Sequence, residues 1–158
     1  MHHSLSWHWI FGNHLRPKEL YSILSLRQEV FVVEQNCPYL DTDGRDFECY
    51  HVLGLSENKE LVAYARVFPP IQEDNDTHRI YIGRVIIKKS HRGLKLGQNL
   101  MVQSERFALE EFNARLSNTL TFALHAQAHL QHFYGKLGYS PKGDLFDEDG
   151  IPHILMLK

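Results

Sequence analysis

Residues 79–112 constrain the fold more than any other part of the sequence. Positions 79–87 form an apolar run rich in β-branched side chains, which predicts a strand. Positions 88–97 form a basic loop with two glycines, and from Gln98 onward the apolar residues recur at helical spacing. Because the first N–H groups of a helix have no partner within the helix, a strand, a glycine-bearing loop and a helix in this order predict an anion-binding site.

The loop carries the residues that a diphosphate needs. Arg92 and Lys95 add two positive charges, and Gly93 and Gly97 remove side chains where a phosphate must come close to the backbone. The loop lacks the Lys-Ser or Lys-Thr pair of a P-loop, so it offers no magnesium ligand for a nucleoside triphosphate. It does not match G-x-G-x-x-G either, which disfavours a dinucleotide fingerprint.

Three runs of sequence resemble those of one family. Residues 92–97 are similar to the pyrophosphate loop of the GCN5-related N-acetyltransferases (GNAT), Arg/Gln-x-x-Gly-x-Gly/Ala, with Lys95 where the family has its first glycine. Residues 26–39 resemble a longer run of the ElaA-type acetyltransferases, Arg-Gln-x-Val-Phe-Val-Val-Glu-Gln followed by Asn-Cys-Pro-Tyr. Residues 133–139 match the family's Phe-Tyr-x-x-Leu-Gly-Phe/Tyr run. The resemblance extends from about residue 5 to residue 158.

The order of predicted elements is mixed α/β: a strand and a helix, three strands, the helix above, a strand, a short helix and a final strand pair. The resemblance implies the GNAT acyl-CoA N-acyltransferase fold, a central mixed β-sheet flanked by helices. Residues 1–158 are expected to form a single N-acetyltransferase domain. In that fold the strand before the loop and the strand after the helix splay apart, with the pantetheine arm between them.

The resemblance implies that acetyl-CoA is the co-substrate. Backbone groups of the strand would pair with the pantetheine amides and polarise the thioester carbonyl, and the loop would bind the diphosphate. The residues expected to bind the coenzyme are Val85, Ile86, Ile87, Arg92, Gly93, Leu94, Lys95, Leu96, Gly97, Gln98 and Tyr134.

Acetyl transfer to an amine needs a neutral amine, a polarised carbonyl and a donor for the departing thiolate. An amine with a pKa near 10.4 is neutral in only about one molecule in 2,500 at pH 7, so a base or desolvation must raise that fraction. The resemblance assigns the donor to Tyr134, which lies beside the coenzyme sulfur in the family. Full transfer from a phenol to a thiolate is uphill by about 2 kcal/mol, so a shared hydrogen bond is expected. The alternative is that Tyr134 is a core aromatic residue.

The proton acceptor is left open among several residues. His153 matches the Glu-x-Gly-Ile-x-His run of ElaA-like sequences, and Arg27 and Glu34 fall on the inward side of the first predicted helix. We therefore predict Glu34 and His153 as catalytic and Arg27, Glu34 and His153 as substrate-binding. The alternative for the two helix residues is that they bond the backbone or each other at the edge of the core. The candidate bases are Glu34, His51, His125, His129 and His153.

No metal site is expected. The eleven histidines include His125, His129 and His132 at i, i+4 and i+7, but a predicted strand-to-helix junction separates the first from the others. Residues 41–46 contain three aspartates without the glycine and glutamate positions of an EF-hand, so an Asx-type turn is predicted instead. Two cysteines are too few for a disulfide framework.

Composition excludes other classes of protein. The formal net charge of −2 argues against a nucleic-acid partner. No apolar run approaches the roughly 20 residues that span a bilayer, and no signal-peptide pattern is present, so we expect no membrane partner and a cytoplasmic location. The expected acceptor is a small-molecule or peptide amine, and the family resemblance implies that the chain can form a homodimer.

Two other functions remain open. The first is an acyltransferase like the acyl-homoserine-lactone synthases, which share an Arg-x-x-Val-Phe-Val-like run but bind carrier-linked acyl chains and lack a good pyrophosphate loop. The second is a non-catalytic module that binds acyl-CoA without turning it over. Release of free thiol from acetyl-CoA across a panel of amines separates all three.

Overall fold

The computed structural model describes residues 4–113 and 119–158. The strands are β1 (Ser6–Phe11), β2 (Tyr50–Leu55), β3 (Leu61–Val67), β4 (Ile71–Gln72), β5 (Thr77–Ile87), β6 (Thr119–Gln127), β7 (Ser140–Glu148) and β8 (Ile151–Leu157). The helices are α1 (Pro17–Arg27), a π-helical segment (Gln28–Glu34), α2 (Leu96–Phe112) and α3 (Gln131–Lys136). The predicted mixed α/β class is confirmed. The single domain over 1–158 stays a prediction, and residues 1–3 lie outside the described ones.

The sheet is mixed, with strand order β1-β2-β3-β5-β6-β8-β7 and β4 paired to β5. All pairs are antiparallel except β5 with β6, whose parallel pairing ends at Tyr81 and Ala123. Beyond that point β5 continues to Ile87 alongside β3, while β6 continues to Gln127 alongside β8. Within the described residues no pair joins the two strands past Tyr81, so the sheet opens there, as predicted for the splayed strands.

Helices cover the two faces of the sheet. On one face α2 buries Leu100, Met101, Ala108 and Phe112 against the strands, with Phe107 partly buried beside them. These five positions fall on one face at the helical spacing of the apolar residues after Gln98, as the sequence predicts. On the other face α1 packs Ile23 and other apolar residues against β2, β3 and β5 in a second cluster. The fully buried strand β3 lies between the two layers.

Three elements differ from the sequence prediction. The first helix was expected to include Glu34, but the chain becomes π-helical after Arg27, where the β-branched Val30, Val32 and Val33 disfavour α-helical turns. The charged residues of 71–78 predict a surface loop, but this segment contains the short strand β4, which pairs with the start of β5. The sequence predicts a strand from Thr119 to Leu124, but β6 extends three residues further, to Gln127, so His125 is a strand residue.

A buried ion-pair cluster fixes the loop before β2 to α1 and to the sheet. The Nε atom of Arg27 donates to Asp41 at 2.6 Å, and Nη1 donates to Asp46 at 2.5 Å. Arg66 on β3 donates to Asp43 at 2.6 Å and to Asp46 at 3.0 Å. Arg27 is 0% exposed. Because Arg27 has no exposed surface that a substrate could reach, the structure favours a role in the fold over the predicted contact with substrate.

The cluster makes stability depend on pH. Burial alone would raise the pKa of Asp43 and Asp46, but hydrogen bonds from Arg66 and Arg27 outweigh it and hold both below their usual value. Burial also lowers the pKa of His51. All three groups therefore bind protons less readily in the folded chain than in the unfolded one. Protonation of the unfolded chain begins near pH 6.5 for histidine and near pH 4 for aspartate, so stability falls with decreasing pH.

We expect the urea midpoint, followed by the fluorescence of Trp7 and Trp9, to decrease in two stages between pH 7.5 and pH 3. A His51→Gln variant should be less stable overall but should lose the first stage, between about pH 7 and pH 5.5. An unchanged midpoint of the wild-type chain over that range would contradict the assignment to His51.

Candidate functional site

A cavity of about 370 Å³ lies where β5 ends and α2 begins. It is lined by Ile87, His91, Arg92, Gly93, Lys95, Leu96, Gly97, Gln98 and Phe133. Seven of these residues are among the predicted coenzyme-binding set, which the fold therefore brings together. Because α2 starts at Leu96, the amide groups of its first turn lack helical partners and carry the positive end of the helix dipole. Leu94 is not part of the lining and is exposed.

The loop backbone explains where the sequence departs from the family motif. Lys95, which replaces the first glycine, has a left-handed conformation with φ of 60°. Gly93 has φ of 82° and open space around its Cα. Gly97 is needed for a different reason, because a Cβ there would lie 3.2 Å from Cζ of Phe133. The left-handed backbone at position 95 favours glycine, which explains the family's glycine there. Lysine at this position has a strained backbone conformation but adds a positive charge beside the cavity.

Glu34 does not lie free in the cleft but binds the loop. Both carboxylate oxygens accept hydrogen bonds from the Arg92 guanidinium, from Nη1 and, at 3.0 Å, from Nη2. The Nε atom of Arg92 donates to the carbonyl of Ile87 at 3.0 Å. The hydrogen bond from Arg92 lowers the pKa of Glu34, which makes its carboxylate a weaker proton acceptor. The geometry favours Glu34 as a residue that orients Arg92, rather than the predicted catalytic or substrate-binding role.

Strand β5 contains a bulge just before the cavity. Tyr64 pairs with Ile86 and Arg66 with Gly83, so two residues of β5, Arg84 and Val85, stand opposite Ala65 alone. Arg84 has φ of 51°. The bulge lies on the part of β5 that no longer pairs with β6, beside the opening between the two strands. Val85 packs partly buried against one core cluster and Ile86 is buried in the other.

Tyr134 lies on α3, directly after the cavity residue Phe133. Its ring is in edge contact with Phe133 and Tyr139, and the residue is 6% exposed. Burial raises the pKa of Tyr134 to about 12. Among the described residues its hydroxyl has no hydrogen-bond partner, so the O–H group is available to a ligand.

His153 belongs to an aromatic face on the other side of the sheet. Ring contacts link Tyr81 to His125 at 5.8 Å, His125 to Phe146 at 5.2 Å and Phe146 to His153 at 6.1 Å. The Nδ1 atom of His153 lies 2.7 Å from the carbonyl of Ile151, which can only accept a hydrogen bond, so Nδ1 carries the proton. In the neutral ring Nε2 then has a free lone pair, 3.5 Å from a carboxylate oxygen of Glu148.

Within residues 4–113 and 119–158, one group of side chains has the spacing of a metal site. Ligand atoms of Asp46, Cys49 and His51 lie within 4.8 Å of one another. However, the Tyr64 hydroxyl donates to Nδ1 of His51 at 2.7 Å, and Nε2 donates to the Asp46 carbonyl at 2.7 Å. Burial raises the pKa of Cys49 to about 12, which keeps the thiol protonated. The side-chain atoms of Asp46 and His51 that could bind a metal already make hydrogen bonds within the protein. The nearby arginines of the ion-pair cluster would also repel a cation. His51 is likewise too deeply buried to serve as the base.

Sequence reasoning missed three contributors to this region. Phe133 stood in a recognised motif but was not assigned to the cavity. Asp41 and Arg84 had no sequence signal, because their contact joins positions 43 residues apart.

None of the described helices is long and apolar enough to cross a membrane.

The profile of the acetyltransferase (GNAT) domain family matches residues 30–158. The chain therefore belongs to the GNAT acetyltransferase family. It is similar to the protein ElaA of Escherichia coli (strain K12), at 43% identity over 156 residues, which cover 98% of this chain and 96% of ElaA. The family and the ElaA-type resemblance that the sequence motifs predicted are confirmed.

Solved structures agree with this assignment. The crystal structure of Escherichia coli ElaA superposes with a TM-score of 0.83 at 41% identity, covering 98% of this chain and 99% of that one. An acyl-CoA N-acyltransferase from Pseudomonas aeruginosa gives 0.84 at 38% identity with the same coverage. An aminoglycoside 6'-N-acetyltransferase complexed with coenzyme A gives 0.67 at 16% identity, covering 96% of each chain, and this likeness shows the fold alone. The predicted acyl-CoA N-acyltransferase fold is confirmed.

Proposed function

We propose that this protein transfers an acetyl group from acetyl-CoA to a primary amine of a small molecule or peptide, by direct attack of the amine on the thioester. One observation carries the proposal: a cavity lined by the first turn of α2 and two cations lies at the end of β5, after the stretch in which β5 has parted from β6. A diphosphate held at the cavity can extend its pantetheine arm between the two strands.

The loop and the first turn of α2 bind the diphosphate of the coenzyme. Leu96, Gly97 and Gln98 line the cavity and form the first turn of α2, whose amide groups carry the positive end of the helix dipole, and Lys95 adds a full charge. Arg92 is oriented by Glu34 and by the carbonyl of Ile87. The bulge of β5 provides backbone groups that can pair with the pantetheine and polarise the thioester carbonyl.

Two side chains serve the transfer itself. The Tyr134 hydroxyl donates a hydrogen bond to the sulfur as it gains negative charge. With its pKa raised to about 12, full proton transfer to a thiolate of ordinary pKa near 8.5 is uphill by about 5 kcal/mol, so the proton stays on the tyrosine. His153 accepts the proton of the amine at Nε2, directly or through water, and Glu148 stabilises the imidazolium.

The amine approaches from the aromatic face of the sheet. His125 is exposed there, Phe146 is 37% exposed, and Glu148 is close to His153. Aromatic rings beside a carboxylate suit a cationic amine, which loses its proton only after binding. The cytoplasmic location, the homodimer and the lack of nucleic-acid and membrane partners remain expectations.

Titration calorimetry with coenzyme A, and with pantetheine as a probe that lacks the diphosphate, tests the coenzyme site. We expect coenzyme A to bind at least about 10-fold more tightly, since charge-assisted hydrogen bonds are worth roughly 1.5–3 kcal/mol each. No binding of coenzyme A at millimolar titrant would remove the proposal.

Thiol release from acetyl-CoA across polyamines, lysine peptides, peptide N-termini and aminosugars then tests turnover. Amine-dependent release supports the proposed transfer. Binding without release from any acceptor would favour a non-catalytic acyl-CoA-binding module. Turnover only with carrier-linked acyl chains would favour a reaction like that of the acyl-homoserine-lactone synthases.

A further inference from the structure

Asp41 connects the buried ion-pair cluster to the bulge of β5. The Nε atom of Arg84 donates to Asp41 Oδ1 at 2.7 Å, and Nη2 donates to the Asp41 carbonyl at 3.1 Å. Asp41 is 4% exposed and is held from other directions by Arg27 at 2.6 Å and by the Tyr39 hydroxyl at 3.0 Å. The Arg84 guanidinium is therefore attached to a fixed point of the core.

The backbone at Arg84 needs such support. Its φ of 51° lies in the left-handed region, which costs free energy for any residue with a Cβ. The adjacent Gly83, which could take this conformation freely, does not have a positive φ. A non-glycine residue stays in this region only where its surroundings over-determine it. The two hydrogen bonds to Asp41 provide that constraint.

We propose that Arg84 and Asp41 are positioning residues that hold the β5 bulge in the geometry required to polarise the thioester carbonyl; this inference rests on the proposed function. The bulge lies between the last residue paired with β6, Tyr81, and the cavity at the end of β5. A change of φ at Arg84 would rotate the next peptide group, that of Val85, and move the backbone groups beside the opening.

A direct contact of the Arg84 side chain with substrate fits the structure less well. Two of its nitrogens already donate to Asp41, a third contact reaches Asp43 at 3.7 Å, and the side chain is 23% exposed. Its charge is thus compensated within the protein, which leaves positioning as its main effect.

The two explanations predict different results for Arg84→Gly and Arg84→Ala. Both variants lose every side-chain contact, but glycine accepts the left-handed conformation at little cost, whereas alanine does not. We expect kcat of Arg84→Ala to fall roughly 30-fold, within the ~10²-fold that a 1 Å misplacement can cost. We expect Arg84→Gly to stay within about 3-fold of wild type, although both variants are less stable.

Lys59 offers a matched control because it is an exposed residue with φ of 61° in the turn between β2 and β3. Lys59→Gly and Lys59→Ala should differ in stability but leave kcat within about 2-fold of wild type. In the Lys59 variants the dissociation constant of coenzyme A should stay within about 3-fold of wild type. In the Arg84 variants it should stay within about 10-fold, because the loop that binds the diphosphate is untouched and only pantetheine contacts at the bulge can be lost. That measurement also shows that each variant is folded.

Recovery of kcat in Arg84→Gly relative to Arg84→Ala, with coenzyme binding retained in both, supports the positioning role. Equal kcat in the two variants, whether reduced or unchanged, overturns it while leaving the proposed transferase function intact. A wild-type protein without coenzyme binding or turnover overturns the proposed function and this inference together.

Discussion

Replacing Arg27 with methionine is expected to lower the free energy of unfolding by about 3–5 kcal/mol, the usual cost of removing one partner from a buried ion pair. The guanidinium makes three hydrogen bonds, two to Asp41 and one to Asp46, and the residue has no exposed surface. Methionine fills a similar volume but leaves these acceptors with fewer donors. Such a loss should lower Tm by roughly 6–20 °C.

Arg106→Met on α2 is the control for this substitution. Arg106 pairs with Glu110 at 2.8 Å on the surface, with 48% of its side chain exposed, so its loss should cost less than about 1 kcal/mol. Urea unfolding of both variants measures the difference. If Arg27→Met kept its stability and instead raised KM for the amine acceptor, the substrate role that the sequence suggested for Arg27 would be restored.

Local features of this fold could be predicted because neighbouring residues determine them. Gly138 ends α3 with φ of 94°, and the backbone N–H of Arg45 donates to the Asp43 side chain at 3.1 Å in an Asx turn. The strand, basic loop and helix of residues 79–112 likewise follow from periodicity and glycine placement. In each case the deciding contacts span only a few positions.

Long-range partners could not be predicted in the same way. Arg27 and Glu34 are seven positions apart on the first helix, and a helical pattern places them on one inward side. In the structure Arg27 is buried against Asp41 and Asp46, whereas Glu34 binds Arg92, 58 residues further along the chain. A pattern of charges indicates that partners are needed, but only the fold determines which they are.

The bulge of β5 shows a related limit. Glycine takes a positive φ more readily than any other residue, yet at this bulge the positive φ belongs to Arg84 and not to the neighbouring Gly83. The hydrogen bonds that make this conformation acceptable come from a loop more than forty positions earlier. Tertiary contacts have overridden the local preference, next to the part of the site where we place the thioester.

Replacing Tyr134 with phenylalanine is expected to lower kcat by about 10- to 150-fold while leaving KM for acetyl-CoA within about 3-fold. The variant removes a hydrogen bond to a sulfur that is charged only as the bond breaks, and such bonds are worth roughly 1.5–3 kcal/mol. Because the hydroxyl has no partner among the described residues, its removal should leave Tm nearly unchanged.

Tyr139→Phe is the matched control, since Tyr139 is buried beside Tyr134 but its hydroxyl donates to Glu105 at 2.8 Å. That variant should lose stability and keep kcat within about 2-fold.

The pH profile separates a hydrogen-bond donor from a titrating acid. With a pKa of about 12, Tyr134 stays protonated up to about pH 11, so it should cause no decrease in kcat below that pH. Full turnover in Tyr134→Phe would contradict the donor role and favour the alternative that Tyr134 is only a core aromatic residue. The thiolate would then be stabilised by the helix amides or by solvent.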